Sequence, residues 1–176
     1  MNKLNSQIFL FLNELNANNN RDWFNKNKQV FQAHQNDIKE FSYQVQEHLN
    51  KEDDIDKIKV FRIYRDVRFS LDKTPYKTHF GISFHRKKPY LRGGYYIHIQ
   101  PEKTFIATGF WNPNKEDLLR IRKEIEADGE ELKTIINVKS IKSLWGSIQG
   151  DELKTSPKGF SKDHSHIDLI KKKQYV

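Results

Sequence analysis

The chain has no cysteine among its 176 residues. Disulfides, thiolate nucleophiles and cysteine-ligated zinc are therefore excluded. Long apolar runs are also missing. None approaches the ~20 residues that a membrane span needs, so a soluble, cytoplasmic protein is expected. The opening MNKLNSQIFLFLNEL has a short apolar run with polar flanks and no small-residue cleavage site, and reads as a helix rather than a signal peptide. There is no P-loop, dinucleotide-binding glycine fingerprint or nucleophile elbow, and no cofactor is expected. Repeats, low-complexity tracts and evident linkers are lacking too, so one domain is expected over residues 1–176.

Aliphatic bulk is scarce, with hydrophobic residues at 36%. Twelve Phe, seven Tyr and three Trp make up for it, since each ring buries a large apolar area. The net charge of +8 is unevenly placed. Between Lys57 and Arg92 stand eleven Lys/Arg against two Asp, which leaves twenty basic and twenty-one acidic residues elsewhere. A basic stretch in a near-neutral chain attracts phosphates, nucleic acid or acidic protein surfaces. The plainer alternative is a set of solvated strand edges guarded by lysine.

Leu4, Ile8, Phe11, Leu12 and Leu15 recur at helical spacing and predict a helix over Asn5–Leu15. After Asn18-Asn19-Asn20, a second and longer helix is predicted from Arg21. Its apolar stripe is Trp23, Phe24, Asn27, Val30, Phe31, His34, Ile38, Phe41, Val45 and Leu49, with His34 a core or boundary residue rather than a ligand. The period then falls to two. Ile58, Val60, Arg62 and Tyr64 alternate with Lys59, Phe61, Ile63 and Arg65, predicting a strand, and a long loop follows over 66–78. Further strands are predicted from Phe80, from Tyr95 and over Phe105–Trp111, the last two as a hairpin. A helix starting at Asn112–Asn114 and running to about Glu126, another over Asp128–Asn137, and a last one near Ile167 complete the pattern. The stretch Ser140–Pro157 is ambiguous, with short strands open around Trp145 and Leu153. The fold class is α+β: a mainly antiparallel sheet of about four to six strands packed with a long N-terminal helix and several later helices.

The segments NNNRDWFNKNKQVF, RIYRDVRFSLDKTPYKTHFG and GGYYIHIQPEKTFIATGFWNP, together with the ending LKTSPKGFSKDHSHIDLIKKKQYV, resemble an uncharacterised family of bacteria and fungi, the domain of unknown function 2461. The resemblance spans nearly the whole chain. It implies a single α+β domain and no transferable activity or catalytic residues. Two departures stand out. Ser165 occupies a position where that family usually has proline. Its members also generally run on by another element after the position of Lys171-Lys172-Lys173, which leaves open a short member or a cut chain.

Three site readings compete. An anion grip is read in Arg62, Arg65, Arg68, Lys73, Lys77, Tyr76 and Arg86. Guanidinium forks match phosphate or carboxylate, and lysines act as compact charges. On a straight strand Arg62 and Arg65 face opposite sides, so lining one site requires the strand to end or bulge near Tyr64. The alternative pairs Arg65 with Asp66 and Arg68 with Asp72, pinning the loop from within. An acid–base reading takes His79, His98 and Asp66, histidine being the side chain that titrates near neutrality. If the second and third strands form a hairpin, Ser83, His85 and His98 share a polar sheet face. For His85, flanked by Arg86-Lys87-Lys88, an ordinary solvated role is preferred. A metal reading of His164, His166 and Asp168 with Asp163 lacks a third ligand fixed by spacing. Helix capping is preferred for Asp163, and no metal is expected. The rings of Tyr64, Phe69, Tyr76, Tyr90, Tyr95 and Tyr96 can stack on single-stranded bases, or they form the core of an aromatic-rich sheet.

The leading expectation is a protein that binds a phosphate-bearing small molecule or a nucleic-acid end, with hydrolytic or phosphoryl chemistry. The alternative is a non-catalytic module gripping RNA, single-stranded DNA or an acidic partner.

Overall fold

The asparagine run after the first helix starts the second by capping it. In the computed structural model, which describes residues 4–176, helix α1 spans Gln7–Ala17 and buries Ile8, Phe11, Leu12 and Leu15. The Asn20 side chain then accepts from the Trp23 backbone N–H, 2.9 Å away, and opens helix α2 at Arg21. One continuous helix from Arg21 was expected. The chain instead breaks at Asn27, giving α2, Arg21–Lys26, and α3, Lys28–Leu49. The Asn27 side-chain amide donates to the Trp23 carbonyl at 2.9 Å, a local bond that competes with the helical ladder. The break resets the helical phase. Phe31, His34, Ile38 and Ser42 are buried, whereas Val30, expected on the stripe, is exposed. His34 packs in the core against the Phe11 ring.

Four strands follow: β1, Ile55–Val60; β2, Phe80–Arg86; β3, Gly94–Ile99; and β4, Phe105–Gly109. They form one antiparallel sheet in the order β1-β2-β3-β4, at the lower end of the expected strand count. The inward residues Ile82, Phe84, Phe80 and Ile99 join Ile8, Leu12, Phe24, Phe31 and Ile38 of the helices in one core. Alternation leaves the other sheet face free of that core. At Gly94 an added Cβ would be driven into the Phe84 carbonyl oxygen of the neighbouring strand. Gly94→Ala is therefore expected to cost about 2 kcal/mol or more, roughly 5 °C in Tm by calorimetry. An unchanged Tm would contradict this register.

β1 is shorter than expected, ending at Val60 rather than reaching Arg65. Beyond it the two chain segments still run side by side. Phe61 N–H donates to the Gly81 carbonyl, Lys77 N–H to that of Ile63, and Arg65 N–H to that of Pro75. Pro75 has no N–H to return the last bond, so the ladder lapses into a single bridge, Tyr64 with Tyr76.

The chain divides into two compact units, Met1–Thr108 and Gly109–Val176. In the second, Asn114 caps helix α4, Lys115–Ala127, by accepting from Asp117 N–H at 2.8 Å. Helices α5, Glu130–Asn137, α6, Lys139–Trp145, and the short α7, Ile167–Ile170, follow. Of the stretch that the sequence left ambiguous, the part up to Trp145 is helix α6 rather than a strand, and beside Leu153 a single bridge forms at Glu152. Ile125, Leu169 and Ile170 form a second core with Ile121, Leu132 and Ile136 around it. Asp163 does not cap the last helix as expected. α7 begins three residues beyond His164, and His166 stands at its N-cap. The final residues are held by backbone pairing, Phe110 with Tyr175 and Glu152 with Lys172. No helix among the described residues is long and apolar enough to cross a membrane.

Candidate functional site

The residues expected to grip an anion fall into three places. The first is the loop between Tyr64 and Tyr76. There the Arg65 guanidinium donates to the Asp72 carboxylate, to the Thr74 hydroxyl and carbonyl, and to the Ser70 hydroxyl. Arg68 forms a fork on Asp66, with bonds of 2.9 and 2.7 Å. The Lys73 ammonium donates to the Val67 carbonyl at 3.0 Å. The loop is thus pinned from within, with the partners exchanged relative to the pairing read from sequence. The backbone N–H of Thr74, the Arg65 guanidinium and the Thr74 hydroxyl hold the Asp72 carboxyl down at about 2. The Arg68 fork lowers Asp66, so this carboxylate is occupied by the neighbouring guanidinium. Tyr76 lies in the core at 4% exposure, its ring stacked on Phe24 at 4.0 Å. At the loop tip, Phe69 is 97% exposed.

The second place is the far end of the sheet. Arg86 bonds to Asp53 at 3.0 Å, and the Tyr95 hydroxyl donates to the same carboxylate at 2.8 Å. Burial works to raise the Asp53 pKa, but Tyr95, the Asp54 N–H and Arg86 outweigh it and hold it low. Arg86 is therefore a structural partner of the β1 entry.

The third place brings His79 and His98 together. Gly81 pairs with His98 and Ser83 with Tyr96 across β2 and β3, so these side chains share the outer face of the sheet. Lys59 pairs with Ser83 from β1, and Phe61 follows in step. His79 precedes β2 by one residue and continues the same alternation. Its ring lies on that of His98, with centroids 4.2 Å apart. The Phe105 ring of β4 stacks on the other flank of His98 at 4.8 Å and 12°. Gly81 makes room for this cluster, since a Cβ there would meet the Tyr96 hydroxyl at 2.7 Å.

The two histidines differ in their partners. His98 has the Tyr96 hydroxyl 3.2 Å from Nδ1 and the Gln100 Oε1 2.9 Å from Nε2. With an amide oxygen on one side, Nε2 carries the proton and Nδ1 accepts from Tyr96. Neither ring nitrogen of His79 has a hydrogen-bond partner among the described residues. Burial, His98 and Lys77 push His79 down to about 4, so at neutral pH it is an uncharged ring with a free lone pair. Burial lowers Lys77 as well, helped by Arg62 and Lys59. Lys77 donates to the Arg62 carbonyl at 3.0 Å, and its ammonium lies over the Phe61 ring, as does that of Lys59. Arg62 makes no side-chain hydrogen bond among the described residues. Among the described residues Lys59 and Lys77 pair with no carboxylate and meet at the Phe61 ring on this face, while on the loop Lys73 is held by a carbonyl alone.

No group of three or more His, Asp or Glu side chains among the described residues is placed to hold a metal ion. The Nδ1 of His164 accepts from the His166 backbone N–H at 3.1 Å.

The profile described as Conserved hypothetical protein (DUF2461) matches residues 7–176. The chain belongs to that family. No curated protein and no solved structure matches it. In this DUF2461 chain the sequence reading missed Lys59, Phe61 and Phe105. The alternation that marks Ser83 and His98 as outward, carried across to β1 and β4, was the signal that finds them.

The pinned loop carries a prediction. Arg65 has 25% of its side chain exposed and serves several acceptors, whereas Arg68 is 77% exposed on one partner. Arg65→Ala is expected to open the loop to trypsin at Arg68 and Lys73, raising the cleavage rate roughly tenfold or more. Arg68→Ala should leave cleavage at Lys73 near the wild-type rate. Equal effects of the two would contradict the pinning.

Proposed function

We propose that the outer face of the sheet binds a phosphate-bearing small molecule or a nucleic-acid end, with His79 as the proton-handling group. The observation that carries this reading is the half-buried His79 ring, whose nitrogens are free and which has Lys77 and His98 beside it. A dianion seated there would meet Lys59 and Lys77 as charge partners and His79 as a hydrogen-bond partner. Hydrolysis would follow from this placement. A ring nitrogen of His79 takes the proton of the attacking water as the oxygen–phosphorus bond forms. The bond to the leaving oxygen then breaks while the lysines balance the charge. His98, held by Tyr96 and Gln100, is a positioning residue that fixes the plane of His79.

The second reading is binding without turnover. It is favoured by the lack of a carboxylate partner on His79, since no side-chain oxygen orients its ring. Both readings require the anion. At low salt, millimolar tripolyphosphate is expected to raise the wild-type Tm by several degrees. The Lys59→Ala/Lys77→Ala protein should lose most of that gain. No stabilisation of the wild type by inorganic phosphate or tripolyphosphate would refute the site.

A further inference from the structure

Charge alone does not account for the outer face of the sheet. Rings from the residue after β1, from β3 and β4, and from the residue before β2 form an unbroken series. Phe61 meets Tyr96 edge-on at 6.2 Å, Tyr96 meets Phe105 at 5.9 Å, Phe105 stacks on His98 at 4.8 Å, and His98 lies on His79 at 4.2 Å. These rings are not core. The core lies on the opposite face, and Phe105 is 50% exposed. The outward positions facing one another on β1, β2 and β3 are Lys57, His85 and Gly94, then Lys59, Ser83 and Tyr96. None of these is a carboxylate, and β4 contains no carboxylate at all. The aromatic strip is therefore bordered by lysine and free of acidic groups.

A small phosphate ester needs cations and donors but has no use for a series of five rings along a sheet face. A single strand of nucleic acid uses both. Its bases stack on aromatic faces, its phosphates pair with lysines, and about two or three bases fit across a four-stranded sheet. We infer that the ligand of this face is single-stranded nucleic acid, with bases laid on Phe105 and the phosphodiester backbone following Lys57 and the two lysines, Lys59 and Lys77, that Phe61 seats. The inference rests on the anion site proposed above and narrows its ligand. A duplex does not fit, because its bases are already stacked on one another and their faces are unavailable to Phe105. Ser83 and Gln100, at the borders of the strip, supply hydrogen-bonding groups for base edges, so any sequence preference is modest.

The test uses the full chain and fluorescently labelled oligothymidylate and oligouridylate of about eight nucleotides, with a duplex of equal length as control. Fluorescence anisotropy at low salt reads affinity, and the tripolyphosphate-induced rise in Tm is measured in parallel. The wild type is expected to bind single strands at least about tenfold more tightly than duplex. Phe105→Ala should weaken single-strand binding by roughly five- to a hundredfold while keeping the tripolyphosphate effect. Phe61→Leu, which retains apolar bulk, should weaken it in the same sense. Wild-type binding of tripolyphosphate without any binding of single strands overturns this inference and leaves the anion site standing. Unchanged affinity in both Phe variants, or equal affinity for duplex, also overturns it. Binding of neither probe removes the anion site and this inference together.

Discussion

Phe24→Ala is expected to destabilise the protein by about 3–5 kcal/mol in chemical denaturation. Phe24 is the buried residue of α2, and its ring contacts those of Phe31, Tyr64 and Tyr76. Removing it leaves a cavity at the point where α2 meets both ends of the basic loop. Asn19 adds to this seat, donating to the Tyr76 carbonyl at 2.9 Å and accepting from the Tyr76 N–H at 3.1 Å. The loss should therefore be local as well as global. Hydrogen exchange over residues 62–78 is expected to speed up by more than that in β3. A cost under about 1 kcal/mol would mean that the loop does not depend on this stack.

The second large effect concerns pH. His79 is held at about 4 by burial, His98 and Lys77, against about 6.5 in the unfolded chain. Below pH 6.5 the unfolded chain takes up the proton and the folded chain does not. Stability from this group is thus complete above about pH 6.5 and falls as the pH drops to about 4. The loss is about 1–2 kcal/mol once screening of a half-buried ring is allowed for. His85 is lowered in the same direction by burial, Lys57, Lys59 and Lys88, so the wild type alone does not isolate His79. Comparison with His79→Gln does. The variant should show a shallower decline between pH 6.5 and 4, whatever its absolute stability. Parallel curves would show that His79 titrates normally. Asp72, lowered to about 2, acts in a separate and more acidic window, where its protonation releases the Arg65 pin.

Period-two alternation was legible in the three later strands, edge strand β4 included. β2, β3 and β4 begin within a residue or two of their expected starts, and the placing of Ser83, His85 and His98 on one face follows directly from the register. The reading failed where a single side chain overrides a pattern. Asn27 breaks a helix whose apolar spacing continues through it, and Pro75 ends a ladder whose alternation runs on to Tyr64. The site was less legible than the fold. Charge density drew attention to the loop arginines, yet composition cannot say which cation a carboxylate has claimed. Asp72 and Asp66 claim Arg65 and Arg68, and Asp53 claims Arg86. The cations left over, and the ring of His79, came into view only once β1, β2 and β3 were in register.

The central claim is that an anion docks beside an uncharged His79. Two-dimensional NMR of the histidine rings, titrated from pH 8 to pH 4 with and without tripolyphosphate, tests it most directly. Without ligand, one ring assigned through His79→Gln should titrate near 4, and with tripolyphosphate its midpoint should rise by at least about one unit as the anion offsets Lys77 and His98. A His79 midpoint near 6.5 without ligand, or one that tripolyphosphate does not move, would contradict the account.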